Sequence, residues 1–233
     1  MRTKSLFHFT KERDVLFSIL KDGFWPRYCF EDIRWVSGTD FYGGPMVCFC
    51  DIALSKLKNH TEFYGNYGIG MTKEWGEKNG LNPLLYISEG SVVSDTLHGM
   101  MSHADPDHDD AKANTMITLL HTKPLRGRMR MGDTLVEKEF YEECEWRFVD
   151  ITEGGIFPDE ITEETPLESF NSKTKANSLK FAVEDIRYIL VEKVEDIGPT
   201  IDFIYAELGH FPQRDHKVLS TKIVVLEELQ GDL

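Results

Sequence analysis

The segment FYEECEWRF, residues 140–148, contains acidic and basic side chains that could do chemistry. Polar and apolar residues alternate through it, which predicts a β-strand over residues 139–149. One face of such a strand presents an apolar set that is expected to pack into the core, and the other presents a polar set. The polar set consists of Tyr141, Glu143, Glu145 and Arg147. Two carboxylates about 7 Å apart would then lie beside an arginine, although a solvated strand face with Glu–Arg pairs explains the same spacing.

A histidine and two tyrosines are further candidates for binding a ligand. His8 lies in the strand-like sequence FHFT, where His8 and Thr10 point to the same side. Tyr64 and Tyr67 lie in a glycine-rich segment, and either ring could stack on a flat ligand. Each residue also has a purely structural interpretation, as a satisfied core histidine or as a tyrosine packed in the core or a turn.

A basic run favours an anionic target. It contains no acidic residue, is expected to form a surface loop over residues 123–130, and consists of Lys123, Arg126, Arg128 and Arg130. These side chains could contact the phosphates of a dinucleotide or of an RNA or DNA target. A loop that offsets an otherwise acidic surface is an equally good interpretation.

The histidines and aspartates between residues 98 and 110 have the types, but not the regular spacing, of metal ligands. They are His98, His103, Asp105, Asp107, His108, Asp109 and Asp110. A solvated loop that leads into an acidic helix start explains them as well, so no metal is expected. The sequence has no G-x-G-x-x-G after a strand, no Walker-type loop, no H-E-x-x-H and no G-x-S-x-G.

The elements that must position these residues can be predicted from periodicity. Strands are predicted at residues 6–9, 46–51, 84–87, 139–149, 186–191 and 222–226, and helices at 11–22, 54–64, 73–75, 106–121 and 200–208. Loops are predicted before Met46, at residues 88–105 and at 153–177. The strands come in runs, which favours an α+β fold with mixed or antiparallel split sheets and peripheral helices. Without a linker or repeat, residues 1–233 are expected to form a single domain.

Composition limits the function classes. The 233 residues are 41% hydrophobic and 28% charged, which is typical of a globular protein. The net charge of -14 repels nucleic acid and anionic membranes overall, and suits a basic protein partner. No apolar run is long enough for a signal peptide or a membrane span, so we expect a cytoplasmic protein with no membrane contact.

Several segments resemble the AbiGi-type abortive phage-infection family. They are LFHFT at residues 6–10, CFCDI at 48–52, YGNYGIG at 64–70 running into KEW at 73–75, and FYEECEWR at 140–147. The resemblance extends from near the N-terminus to about Phe148 and more loosely beyond it. It implies a role in phage defence within an abortive-infection or toxin–antitoxin system, and a cognate toxin or antitoxin as partner.

The order of elements is also similar to the ADP-ribosyltransferase fold, as in DarT-type enzymes. That similarity rests on an early strand with His and Thr, a helix ending in Gly, a central aromatic segment and a late strand bearing Glu-x-Glu. It implies NAD as cofactor, bound by His8 with Thr10, and a nicotinamide ring stacked on Tyr64 or Tyr67. Glu143 or Glu145 would be the catalytic residue, and Arg147 would hold a carboxylate or a phosphate.

The chemistry implied by this similarity does not require a metal. Cleavage of the nicotinamide–ribose bond develops positive charge on the ribose, which a fixed carboxylate stabilises by about 3–4 kcal/mol. The hypothesis is therefore an ADP-ribosyltransferase that modifies a macromolecular target. The alternative is a non-enzymatic antitoxin or partner-binding module on the same scaffold. The first hypothesis requires His8 and Glu145 to line one hollow.

Overall fold

The computed structural model describes residues 3–37, 41–102, 109–131 and 134–232. The chain forms two compact units, and each unit is assembled from separate stretches of sequence. The first unit contains Met1–Trp25, Cys48–Leu81 and Ser178–Leu233, and the second contains Pro26–Val47 and Asn82–Asn177. The prediction of a single domain over residues 1–233 stays a prediction.

The described residues form strands and helices of short to medium length. The strands are β1 Ser5–Thr10, β2 Arg27–Asp32, β3 Phe41–Cys50, β4 Tyr67–Thr72, β5 Asn82–Pro83, β6 Leu85–Ile87, β7 Thr122–Pro124, β8 Arg126–Met131, β9 Thr134–Glu139, β10 Glu145–Val149, β11 Ile186–Val191 and β12 Ile223–Val225. The helices are α1 Arg13–Asp22, α2 Arg34–Ser37, α3 Leu57–Tyr64, α4 Lys73–Lys78, α5 Val92–Ser102, α6 Asp109–Leu120, α7 Leu167–Thr174, α8 Ile197–Glu207, α9 Gln213–Ser220 and α10 Leu226–Asp232.

The first unit is built on a sheet in the order β12-β11-β4-β1, and β1 also pairs with the end of β3. β11 and β12 are parallel, whereas the pairs β11–β4 and β1–β4 are antiparallel. Four of the six residues of β11 are isoleucine, leucine or valine, and Ile189, Leu190 and Val191 are fully buried. Helix α1 ends at Gly23, whose backbone N–H donates to the carbonyl of Ile19 at 2.8 Å. This cap has the left-handed φ of 81° that favours glycine.

The second unit has β2 paired antiparallel with β3, and β10 lies between β3 and β5. Strands β6 and β7 form a small parallel pair, and β8 and β9 form an antiparallel hairpin. Helix α7 is anchored to β2, because the Asn171 side-chain oxygen accepts a hydrogen bond from the Tyr28 backbone N–H at 2.8 Å. The architecture is therefore mixed α/β with split sheets, as the sequence predicted.

Several predicted elements are confirmed and others are wrong. Helices α1, α3 and α8 and strand β11 lie where periodicity placed them, and Thr72 caps α4 by accepting from the Trp75 N–H at 3.2 Å. The loop predicted before Met46 is instead part of β3, because Gly43 makes room for the ring of Phe30 on the neighbouring strand. Helices α5 and α7 were missed in segments predicted as loops. Thr10 ends β1 and does not cap α1, whose N-cap is Glu12.

No helix among the described residues is both long and apolar enough to cross a membrane.

Gly65 joins α3 to β4 where two backbone segments approach closely. Its φ is 104°, and a Cβ at this position would lie 2.5 Å from the Lys11 Cα and also against the Thr10 carbonyl oxygen. We therefore expect Gly65→Ala to combine left-handed strain, about 1 kcal/mol, with a backbone clash worth roughly 1–3 kcal/mol more. Urea denaturation measures the loss in free energy of unfolding.

Gly80→Ala is the matched control for this prediction. Gly80 also has a positive φ, 76°, but an added Cβ would meet nothing within 4 Å. Equal losses for the two variants would show that the close approach at Gly65 is absent in solution.

Candidate functional site

The segment that carries the candidate glutamates is not one continuous strand. Phe140–Glu143 forms a short 3-10 helix, Cys144 adopts a left-handed conformation with φ 44°, and β10 begins at Glu145. The strand predicted over residues 139–149 is therefore wrong in its first half. The turn at Cys144 places Glu143 and Glu145 on different elements, so their spacing is not that of residues two apart on one strand face.

The charged face of β10 points into the protein, contrary to the prediction. Glu145, Arg147 and Val149 are buried, whereas Trp146 and Phe148 are partly exposed. Arg147 is 0% exposed and Glu143 only 4%. Isolated charges are costly to bury, so these side chains must be paired within the second unit.

The pairing takes the form of an ionic cluster of three carboxylates and three cations, here called the ionic cluster. It consists of Glu31, Lys123, Lys138, Glu143, Glu145 and Arg147. β2, β7, β9, β10 and the short helix before β10 each contribute at least one member. Because the formal charges balance, the cluster is neutral as a whole.

Glu145 is held from both sides. Its Oε2 accepts from the Lys123 ammonium at 2.7 Å, and its Oε1 accepts from the Arg147 Nε at 2.8 Å. Arg147 Nη2 also lies 2.7 Å from the same Oε1, so two guanidinium nitrogens face one carboxylate oxygen in a charge-assisted contact. Both carboxylate oxygens of Glu145 are therefore engaged by cations.

Lys123 connects the carboxylates of the ionic cluster. Burial alone would lower the pKa of Lys123, but Glu145, Glu31 and Glu143 raise it well above its ordinary value. Its Nζ lies 3.2 Å from Glu143 Oε2 and 4.8 Å from the centre of the Phe140 ring. Lys123 is therefore a charged ammonium at physiological pH.

Glu143 is the second carboxylate on Lys123. Burial would raise its pKa, but Lys123 and Lys138 outweigh that effect, and the pKa of Glu143 is lowered. The Lys138 ammonium lies 2.6 Å from Glu143 Oε1. Glu143 is therefore ionised at neutral pH, and each of its oxygens faces an ammonium.

Arg147 closes the other side of the ionic cluster. It donates to Glu145, to Glu31 Oε1 at 2.7 Å and to the backbone carbonyl of Leu120 at 2.6 Å. A planar guanidinium presents five donors in a rigid fork and therefore reaches acceptors that lie farther apart than those around one compact lysine ammonium. The ionic cluster therefore joins four strands, and each of its carboxylates contacts at least one cation.

Sequence reasoning named Glu143, Glu145 and Arg147 but missed Glu31 and Lys138 and misplaced Lys123. Lys123 does have a signal, since it is the only Lys, Arg, Asp or Glu in the stretch LLHTKPL. Glu31 has none, because its partner Arg147 is far away in the sequence.

The predicted basic loop at residues 123–130 is two strands, and Lys123 is buried. Arg126 pairs with Glu139 at 2.8 Å and Arg128 pairs with Glu137 at 3.1 Å across the β8–β9 hairpin, both on the surface. The alternation of a strand accounts for this, because facing residues of the two strands carry opposite charges. The side chain of Arg130 lies outside the described residues.

His8 lies in the first unit, partly buried between the rings of Phe24 and Phe49. Its Nδ1 lies 2.8 Å from the Cys48 carbonyl oxygen, so Nδ1 carries the proton and Nε2 is the acceptor in the neutral ring. Burial lowers the pKa of His8, although the hydrogen bond to Cys48 opposes the shift. The imidazole is therefore neutral at physiological pH.

The lowered pKa of His8 predicts a loss of stability in mild acid. The folded state binds this proton more weakly than the unfolded chain, whose histidine pKa is about 6.5. The contribution of neutral His8 is thus complete above about pH 6.5 and is lost as the pH falls through the lowered folded-state value. We expect His8→Asn to flatten the dependence of the unfolding free energy on pH between about 7 and 5. An unchanged slope would contradict this account.

Tyr64 and Tyr67 occupy different surroundings. The Tyr64 ring packs against His60 with centroids 4.5 Å apart. The Tyr67 hydroxyl lies 3.2 Å from Asp196, and burial together with Asp196 and Glu192 raises the pKa of Tyr67 to about 12. Which ring would stack on a ligand stays open.

The predicted site residues divide between the two units. His8, Thr10, Tyr64 and Tyr67 belong to the first unit, and Glu143, Glu145 and Arg147 belong to the second. Within the second unit the structure brings the glutamates and the arginine together. That His8 and Glu145 line one hollow stays a prediction.

A metal site is not formed by the residues that the structure describes, since no three histidine, cysteine, aspartate or glutamate side chains among them are arranged to hold an ion. His103, Asp105, Asp107 and His108 lie outside the described residues, as do the side chains of Asp109 and Asp110.

Residues 22–192 match a family model described as "Putative abortive phage resistance protein AbiGi, antitoxin". The match covers well over half of the chain. The chain belongs to the AbiGi family. It is also 28% identical, over 247 aligned positions, to a protein of Lactococcus lactis subsp. cremoris named "Abortive phage resistance protein AbiGi". That alignment covers 90% of this chain and 99% of the relative.

No solved structure matches this AbiGi chain, so the similarity to the ADP-ribosyltransferase fold stays a prediction. The resemblance to the AbiGi family, stated from the sequence segments above, is confirmed. Of those segments, only LFHFT lies outside the matched residues, and FYEECEWR contributes Glu143, Glu145 and Arg147 to the ionic cluster.

Proposed function

We propose that this protein acts in phage defence as an antitoxin that binds a basic toxin protein through acidic side chains of its second unit. The AbiGi family is described as an antitoxin family, and the partner of an antitoxin is a toxin. The proposal concerns binding and does not require the protein to carry out a reaction.

The observation that carries the proposal is the separation of buried from exposed acidic residues in the second unit. The buried carboxylates of the ionic cluster are neutralised internally by Lys123, Lys138 and Arg147. The exposed ones are not neutralised to the same degree, since the second unit has twice as many acidic as basic residues. The charge available to a partner is therefore strongly negative.

The exposed acidic residues are densest in the segment at residues 148–172, which contains seven acidic residues and no lysine or arginine. Asp159, Glu163 and Glu164 are exposed there, and none of them forms an ion pair with another described residue. Glu168 pairs with Arg27 at 2.7 Å. A surface that carries charge of one sign, as this segment does, accelerates association with an oppositely charged partner and disfavours other partners.

A charge-reversal variant tests the proposal. Asp159→Lys, Glu163→Lys and Glu164→Lys combined should leave folding intact, because all three side chains are exposed. We expect about a hundredfold weaker binding to the cognate toxin, since each like-charge contact at an interface is unfavourable, and a loss of growth rescue when the two proteins are co-expressed. Wild-type binding should weaken steeply as salt increases.

Glu74→Lys with Glu77→Lys provides the matched control. Both residues are exposed on α4 of the first unit, so this variant raises the net charge by about two thirds as much without touching residues 148–172. Equal loss of binding in the two variants would show that net charge, and not the position of the acidic residues, determines binding. Undiminished binding and rescue in the charge-reversal variant would overturn the proposal.

NAD-dependent ADP-ribosyl transfer, with Glu145 or Glu143 as the catalytic carboxylate, stays a prediction from sequence similarity. The neutral, oriented imidazole of His8 is compatible with binding such a cofactor. To act on a ribose, Glu145 would have to exchange contacts with Lys123 or Arg147 for contacts with the substrate.

A further inference from the structure

A cavity of about 470 Å³ lies on the first unit, at the junction of three segments. The residue that follows β1, helix α3 and the residues that join α3 to β4 form its walls. It is lined by Lys11, Lys58, Thr61, Glu62, Gly65 and Asn66. Its volume is within the range of sites that hold small molecules, about 300–1,000 Å³.

Two lysines give this cavity a positive side in an otherwise acidic protein. Lys11 and Lys58 come from different elements, and both are exposed. Neither forms an ion pair with a carboxylate of the described residues, unlike Lys21 and Lys73, which do. Two ammonium groups that face one cavity without carboxylate partners provide the donors that an anion requires.

The remaining wall of the cavity is fixed by backbone packing and hydrogen bonds. Gly65 lies directly against the Thr10–Lys11 backbone, which leaves no room for a side chain there. The Asn66 amide donates to Glu192 Oε1 at 2.8 Å, and the Thr61 hydroxyl donates to the Lys58 carbonyl at 2.9 Å. The cavity is therefore formed before a ligand arrives, which limits the ordering cost of binding.

We propose that this cavity binds a small phosphorylated anion, of the size of a nucleoside diphosphate, through Lys11 and Lys58. Two ammonium groups match the charge and the donor requirement of a pyrophosphate group. Glu62 lines the same cavity, so the two lysines leave its lining with one net positive charge. A polynucleotide is disfavoured, because the net charge of -14 repels a long polyanion. The proposal is independent of toxin binding, which uses the second unit.

Titration calorimetry of the full chain with inorganic pyrophosphate, ADP and a short single-stranded RNA tests the proposal. We expect ADP and pyrophosphate each to bind with a Kd below about 1 mM at low salt, and the RNA not to bind. Lys11→Gln and Lys58→Gln should each weaken ADP binding about tenfold. Both substitutions are on the surface, so the thermal midpoint of the free protein should not change.

Lys56→Gln is the matched control, since Lys56 is an exposed lysine near Lys58 that does not line the cavity. It should bind ADP as the wild type does. No binding of ADP or pyrophosphate, an equal effect of Lys56→Gln, or tighter binding of RNA than of ADP would each overturn the proposal. Loss of toxin binding in the charge-reversal variant, with ADP binding intact, would separate the two functions.

Discussion

Lys123→Met is expected to lower the free energy of unfolding at pH 7 by about 3–5 kcal/mol. The substitution removes the ammonium that contacts Glu145 at 2.7 Å and Glu143 at 3.2 Å, and both carboxylates are buried. Leaving buried charge without its partner costs more than the pair contributed. The loss should shrink at about pH 5, because the stranded carboxylates can then take up protons. Urea denaturation at the two pH values measures it.

Lys138→Met is the control for this first prediction. Lys138 is bonded to Glu143, which would still retain Lys123 as a partner. We therefore expect a clearly smaller loss. A Lys123→Met loss no larger than that of Lys138→Met would contradict the view that Lys123 connects the ionic cluster.

The shifted pKa values of Lys123 and Glu143 define the pH range over which these two groups stabilise the folded protein. The folded pKa of Lys123 is raised, so its contribution is complete below the unfolded value of about 10.4 and is lost only as the pH rises through the folded value. The folded pKa of Glu143 is lowered, so its contribution is complete above about 4.3 and is lost as the pH falls through the folded value. The contributions of Lys123 and Glu143 are thus both complete between about pH 4.3 and 10.4.

Arg147→Leu is expected to have a similarly large effect, again about 3–5 kcal/mol. Arg147 is fully buried, and its loss would remove the hydrogen bonds that it donates to Glu145 Oε1, Glu31 Oε1 and the Leu120 carbonyl. Arg147→Lys should recover only part of the loss, because one compact ammonium cannot span the separate acceptors that the wider, rigid guanidinium fork reaches. The measurement is again the free energy of unfolding in urea.

Arg128→Leu is the matched control for Arg147. It breaks an arginine–glutamate pair of similar length, 3.1 Å, but on the surface of the β8–β9 hairpin. Exposed pairs contribute little, so the change should be close to zero. Full recovery by Arg147→Lys would contradict the role of the planar guanidinium.

The fold was predictable where one segment determines its own structure. The stripe of Val15, Leu16, Ile19 and Leu20 followed by Gly23 predicts α1, and the run IRYILV predicts β11. The second half of β3 was predicted as the strand at residues 46–51, but its first half was not. Two glycines followed by a proline favour a loop in the local sequence, whereas in the structure the ring of Phe30 on β2 occupies the space beside Gly43. That contact is not visible in the local sequence.

The candidate site was predictable in composition but not in orientation. Alternation in residues 140–148 separated the polar from the apolar set, yet gave no indication that the polar set faces inward. Burial of Glu145 and Arg147 depends on Glu31 and Lys123, which come from other parts of the chain. Partners far apart in sequence are what a single sequence does not reveal.

Nicotinamide release from NAD tests most directly the claim that the buried carboxylates are structural and that the protein acts by binding. Purified wild-type protein and Glu145→Gln, both checked for folding, are incubated with NAD and cell extract. We expect no release above that of extract alone from either protein. Release by the wild type that Glu145→Gln abolishes would contradict the claim and would establish Glu145 as catalytic.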